Sequence, residues 1–228
     1  MNKDSISAVS FIIELVNPPM RHEVQKTNKV FTELGNVYTN CTRTSDNSTQ
    51  LSSIDQNTRE LKTCTIKGDR VIIENTFTSS TLDSFWRTSK YVIGEIIKSL
   101  QIPLFMFRQH TVRLTAALMN SQDSRLFLGD NVCRLENSKL TVLKRRLHGF
   151  GIRFVFPPQA NQQSEYTVRV ESLLQDISRV FLENQARFFR PIQIRPNIDY
   201  MSQIQDELTK TYSFLTDNIS DFLVQYNQ

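Results

Sequence analysis

KLTVLKRRLHGFGIRFVFPPQANQQSEYTVRVESLLQDISRVFLENQARFFR, residues 139–190, decides the fold. Gly149-Phe150-Gly151 opens an apolar run, Ile152 to Phe156, which Pro157-Pro158 closes. Prolines bounding a short β-branched and aromatic run mark a strand. The polar turn QANQQS leads into Tyr166–Leu174, and a second turn near Asp176 leads into Val180–Phe189. Both runs alternate in the manner of strands. The last also holds good helix formers (ISRVFLENQARFF), so strand and helix both stay open there, with strand favoured by the alternation. Three consecutive strands with short turns form an antiparallel meander, and that sets the class.

Outward from this stretch the same pattern continues. Residues 6–16, ISAVSFIIELV, read as a strand stopped by Asn17-Pro18-Pro19. A helix is expected from Pro19 to Leu34 with Gly35 as its cap, then a strand over Val37–Arg43. TSDNSTQLSSIDQNT is polar and reads as a surface loop. ELKTCTIKGDRVIIENTF reads as a hairpin turning at Lys67-Gly68-Asp69. Ser80-Thr81-Leu82-Asp83 resembles a capping box, and Leu82 to Leu100 trace a broad apolar helical face that Pro103 ends. A long strand over Leu104–Leu118 follows; DSRLFL suggests a short helix. Beyond Pro191–Pro196, Tyr200, Ile204, Leu208, Tyr212, Leu215, Ile219, Phe222 and Tyr226 recur three and four apart, the signature of a long terminal helix. The expected architecture is α+β, with antiparallel sheet and three main helices. It forms one domain over 1–228, with a division into two similar halves, 1–78 and 79–228, left open.

Composition narrows the class of function. Hydrophobic residues are 39% and charged residues 22%, which suits a globular chain rather than a disordered one. No run approaches the roughly 20 apolar residues of a membrane span, and the first residues lack the pattern of a signal peptide. Three dispersed cysteines without a C-x-x-C argue against a disulfide framework or zinc site and fit a cytoplasmic protein. The net charge of +4 is uneven: residues 103–196 carry 14 basic and 7 acidic side chains, residues 197–228 only 1 and 5. A basic middle and an acidic terminal segment either serve an anionic partner or neutralise each other.

HTVRLTAAL (110–118), LHGFGIRFVFPPQ (147–159) and YTVRVESLLQD (166–176), in this order and followed by a linker and a long helix, resemble a sporadically distributed bacterial protein family of unknown function. The likeness covers roughly residues 71–226. It implies an antiparallel α+β fold, and the family supplies no catalytic residues to carry over.

Catalytic signals are sparse. None of His22, His110 and His148 has metal-like spacing to another ligand, and no metal or cofactor is expected. No nucleophile elbow occurs, and Gly149-Phe150-Gly151 precedes a strand whereas a phosphate loop follows one. Binding signals are stronger. Lys144, Arg145, Arg146, His148 and Arg153 fall within ten residues, and Arg113, Arg153 and Arg169 occupy the polar positions of alternating strands. If those strands are neighbours, the arginines line one face, with Phe150 and Tyr166 beside them to stack bases. Pairing of these arginines with Glu171, Glu183 and the acidic terminal helix is the competing account. The leading expectation is a non-catalytic protein binding nucleic acid or another polyanion, with an acidic protein or a small anionic ligand as separate candidate partners. The alternative is a structural subunit of a homo-oligomer or larger complex. More distant is an enzyme acting on a phosphorylated substrate with His148 as acid or base.

Overall fold

A computed structural model describes residues 1–119, 121–145, 147–160 and 162–226. Nine strands form one antiparallel sheet: β1 (Ser7–Val16), β2 (Asn40–Arg43), β3 (Thr49–Ile54), β4 (Leu61–Ile66), β5 (Arg70–Thr76), β7 (Phe107–Ala117), β8 (Gly151–Phe156), β9 (Ser164–Ser172) and β10 (Arg179–Phe188). Their spatial order is β2-β3-β4-β5-β1-β7-β10-β9-β8. The short β6 (Leu104–Phe105) and β11 (Ile192–Gln193) pair separately. The helices are α1 (Val24–Glu33), α2 (Leu82–Leu100), the one-turn α3 (Ser124–Leu126), α4 (Asn137–Leu140), α5 (Tyr200–Ser213) and α6 (Ser220–Val224).

The innermost strands are β1 and β7, which pair from Ser7↔Thr115 to Val16↔Phe107. After β1 the chain passes through α1, then a meander that returns β5 to β1's free side. After β7 it passes through α3 and α4, then a meander that returns β10 to β7's free side. Each meander is followed by a long helical segment, α2 or α5–α6, on one face of the sheet. Alternation decides what that face buries: Phe11, Ile13 and Leu15 of β1 face the helices with Val112 and Leu114 of β7, Val168 and Val170 of β9, and Val180 and Leu182 of β10. Phe11 stacks on Phe85 of α2 with ring centroids 5.2 Å apart and meets Tyr212 of α5 at 6.3 Å.

Several boundaries differ from the sequence reading, each for a local reason. The first helix begins at Val24 rather than Pro19, because Asn17 and Met20 donate backbone N–H groups to Asp69 and Gly68 at the hairpin turn. Val37 and Tyr38 donate to Leu34 and extend the helix cap, so the second strand starts only at Asn40. The polar stretch 44–58 is not all loop: Thr49–Ile54 is β3, with Leu51 fully buried opposite Cys64. The long strand breaks at Met106, where β6 leaves to pair with β11. Residues 179–188 are strand. Thr81 caps α2 by accepting from Ser84 N, and Gln101 ends it in the left-handed conformation. The terminal helix runs from Tyr200 to Val224 and widens into a π turn over Phe214–Ile219, where Ser220 Oγ donates to Leu215 O at 2.8 Å.

Candidate interaction surface

The helices cover only one face of the sheet. The other is a polar surface built from the alternate residues of all nine strands, and it holds the sheet arginines. Register places Arg153 opposite Arg169, Arg169 opposite Glu183 and Glu183 opposite Arg113, so the three arginines do share one row. They are not equally available. Arg113 Nε donates to Glu183 Oε2 at 2.7 Å, and Arg169 reaches Glu183 Oε1 at 3.3 Å and Glu171 Oε1 at 2.7 Å. Both guanidiniums are therefore largely neutralised, as the competing account anticipated for Glu171 and Glu183. A second row crosses five strands: Arg70 Nη1 to Glu14 (2.7 Å), Gln109 Nε2 to Glu14 (3.4 Å), Arg187 Nε to Gln109 Oε1 (2.9 Å) and Arg187 Nη1 to Glu165 (3.5 Å).

Arg153 is different. It is exposed on β8, the edge strand, and among the described residues it has no carboxylate within ion-pair distance. The segment before β8 adds to it. Lys144 holds the left-handed position that ends a 3₁₀ turn over Thr141–Leu143, and Arg145 and His148 follow, all three exposed and unpaired among the described residues. Arg146 lies outside the described residues. The basic site thus contracts from a sheet face to one end of the sheet, with Lys144, Arg145, His148 and Arg153 as its described members.

The aromatic half of the expectation is not met. Tyr166 is on the opposite face from the arginines and stacks on Phe214 at 4.8 Å. Phe150 is half-buried and packs against the core. Phe154 and Phe156 likewise turn toward the helices, meeting Phe222 and Phe214 at 5.6 and 5.1 Å. Nor does the acidic terminal helix neutralise Arg113, Arg153 or Arg169: its Glu207 pairs with Arg108, on the helix-covered face of β7, and its Asp221 with Lys3.

Arg108 and Glu207 form a charged centre that sequence reasoning missed. Arg108, on β7, is wholly buried; its Nε donates to Glu207 Oε2 at 3.0 Å, Nη2 donates to Glu207 Oε1, and Nη1 donates to the Arg190 carbonyl. His110 lies beside them with Nε2 3.6 Å from Glu207, too far for a hydrogen bond, and its ring is 5.5 Å from that of Phe188. Burial holds the His110 imidazole below its ordinary pKa despite the nearby carboxylate. Burial would raise Glu207, but its contacts with His110 and Arg108 outweigh that and keep its carboxyl below the usual range. The centre is therefore Arg⁺–Glu⁻ with a neutral imidazole. A groove of about 1060 Å³ opens beside it, between α5 and the ends of β9 and β10, with Arg190, Gln203 and Lys210 on its walls.

Among the described residues no three His, Cys, Asp or Glu side chains gather to hold a metal ion. His22 contacts the Lys67 carbonyl at 3.1 Å, beside a cleft of about 810 Å³. Cys64 is buried and its thiol pushed up to about 12, which leaves it inert as a nucleophile. No described helix is long and apolar enough to cross a membrane. Comparison of the chain with protein-family models and with curated proteins found no match.

Proposed function

We propose that this chain is a non-catalytic interaction module that holds a polyanionic partner at the basic end of its sheet, with nucleic acid the first such partner to test. One observation carries the reading. The sheet arginines Arg113 and Arg169 are tied to Glu183, whereas Lys144, Arg145 and Arg153 have no carboxylate partner among the described residues. His148 contributes a hydrogen-bonding ring to that surface, and among the described residues it has no hydrogen-bond or ion-pair partner. A reducing cytoplasm is the compartment this reading supposes, since all three cysteines are unbridged.

The test is fluorescence anisotropy with labelled single-stranded RNA, single-stranded DNA and duplex DNA at two salt concentrations. Three phosphate contacts would lower affinity for duplex by roughly fortyfold between 50 and 200 mM salt. Replacing Lys144, Arg145 and Arg153 together by Ala should remove binding and leave the fold intact, because all three are exposed. Binding that ignored both salt and these substitutions would overturn the reading, and no binding at low salt would remove nucleic acid as the polyanion.

A second reading, a structural subunit of an oligomer or complex, is favoured by the two unpaired sheet edges, β2 and β8. A monomer by light scattering at micromolar concentration, with no co-purifying partner, would count against it.

A further inference from the structure

The basic end of the sheet is also an open strand edge. β8 pairs only with β9. Ser172 donates its backbone N–H to Phe150 O, so 150↔172 is a hydrogen-bonded pair, and so by alternation are 152↔170 and 154↔168. The N–H and C=O groups of Gly151, Arg153 and Val155 therefore point away from β9, and among the described residues no backbone group meets them. Gly151 sits where a Cβ would approach Glu171 Cγ to 2.7 Å, so the Glu171 side chain occupies the space a larger residue would need. Pro157-Pro158 limits the edge to these six residues.

The two faces of β8 differ in chemistry. Arg153 and Val155 point to the polar face, and Ile152, Phe154 and Phe156 to the helix side, where Phe156 remains 37% exposed. A strand laid along this edge would meet a guanidinium on one face and aromatic rings on the other. We infer that β8 accepts an extended acidic peptide as a tenth strand, with carboxylates alternating with apolar side chains. This rests on the reading that the basic end takes an anionic partner, and it names that partner's class. The carboxylate opposite Arg153 completes the row that ends Arg113–Glu183–Arg169, and Lys144, Arg145 and His148 draw further acidic residues at the strand's end. The alternate apolar residues cover Phe154 and Phe156. This is strand addition, in which the backbone supplies affinity and alternate side chains supply selectivity. A second copy fits less well: two β8 strands paired antiparallel across a two-fold at Arg153 would set one Arg153 against the other, with no carboxylate on either strand.

The experiment titrates the whole protein with four fluorescein-labelled probes: a ten-residue peptide alternating Glu and Val, the same composition with its Glu and Val in two blocks, decaglutamate and single-stranded RNA. The alternating peptide should bind at least tenfold more tightly than either other peptide, and hydrogen exchange should show new protection at the Arg153 and Val155 amides. Arg153→Glu should weaken the Glu/Val peptide roughly tenfold, through a lost attraction and a new repulsion, and favour a Lys/Val peptide instead. Val155→Pro removes an outward N–H that β9 does not use, so the fold is spared while peptide binding falls. If RNA or decaglutamate binds as tightly as the alternating peptide, strand addition is overturned and the polyanion reading stands. If no probe binds, both fall. Protection of the outward Arg153 and Val155 amides in the free protein, accompanied by a dimer in solution, would give the edge to a second copy and overturn the inference.

Discussion

Arg108 is the residue whose surroundings are least typical. A wholly buried guanidinium is tolerated only because Glu207 and the Arg190 carbonyl take three of its N–H groups. Removing one member leaves the other charged and unpaired. Arg108→Met should therefore destabilise the fold by about 3–5 kcal/mol, whereas Arg108→Met with Glu207→Leu should lie near wild type or above it. Urea unfolding measures both, and a double variant no better than the single would show that the pair is itself stabilising. His110 adds a pH dependence of defined sign. Its folded pKa lies below the unfolded value near 6.5, so the unfolded chain takes up a proton that the folded chain refuses. The contribution of His110 is complete above pH 6.5 and declines as pH falls below it; Glu207, with a folded pKa below 4.5, extends the loss at more acid pH. His22, also lowered by burial, acts in the same direction. His110→Gln, titrated by urea midpoint from pH 7.5 to 5, should flatten the upper part of this decline; an unchanged profile would assign it to His22 and the N-terminal amine, which burial lowers as well.

At the scale of elements, legibility followed local chemistry. The 61–76 hairpin and the helix from Leu82 to Leu100 carry their own signals, a Gly-containing turn and a Thr81 cap, and both stand where the sequence puts them. β3 carries none. Its exposed-face residues Gln50 and Ser52 are polar and its partner-facing residues Thr49 and Ser53 are small, so one leucine is all that announces a buried strand. Leu51→Ala tests it: a surface loop would lose nothing measurable, while the buried position should cost about 2–5 kcal/mol in a denaturation curve. The misplaced tyrosine has a simpler cause. Tyr166 and Arg169 are three apart on one strand, so the two-residue period already assigns them to opposite faces. The Arg108–Glu207 centre had no such local signal, because its members are 99 residues apart and meet only when the terminal helix docks. Glu171 and Glu183 were visible as partners for the arginines, but only the register shows that Glu183 serves two of them.

For the molecule as a whole, the decisive pairing is also the most distant in sequence. β1 joins β7, whose residues lie about a hundred positions away, and β5 returns to β1 across nearly the whole first meander. Chains dominated by such contacts fold slowly, because loop closure must precede the contacts that reward it. Refolding by stopped flow should therefore take milliseconds to seconds or longer; a sub-millisecond phase carrying the full amplitude would contradict this. Slow assembly makes errors of alignment a real hazard, and the aliphatic positions of the helix-covered face offer little defence against them. A slip of two residues there replaces one aliphatic side chain by another, such as Val168 for Val170, and keeps every strand right side up. The uncovered face does not forgive the same slip. Moving β10 by two positions takes Glu183 from between Arg113 and Arg169 and sets Gln185 or Phe181 there, and it parts Arg187 from Gln109 and Glu165. The charged rows thus work as a vernier: the apolar layer holds the strands together, and the ions across its back admit only one alignment of them.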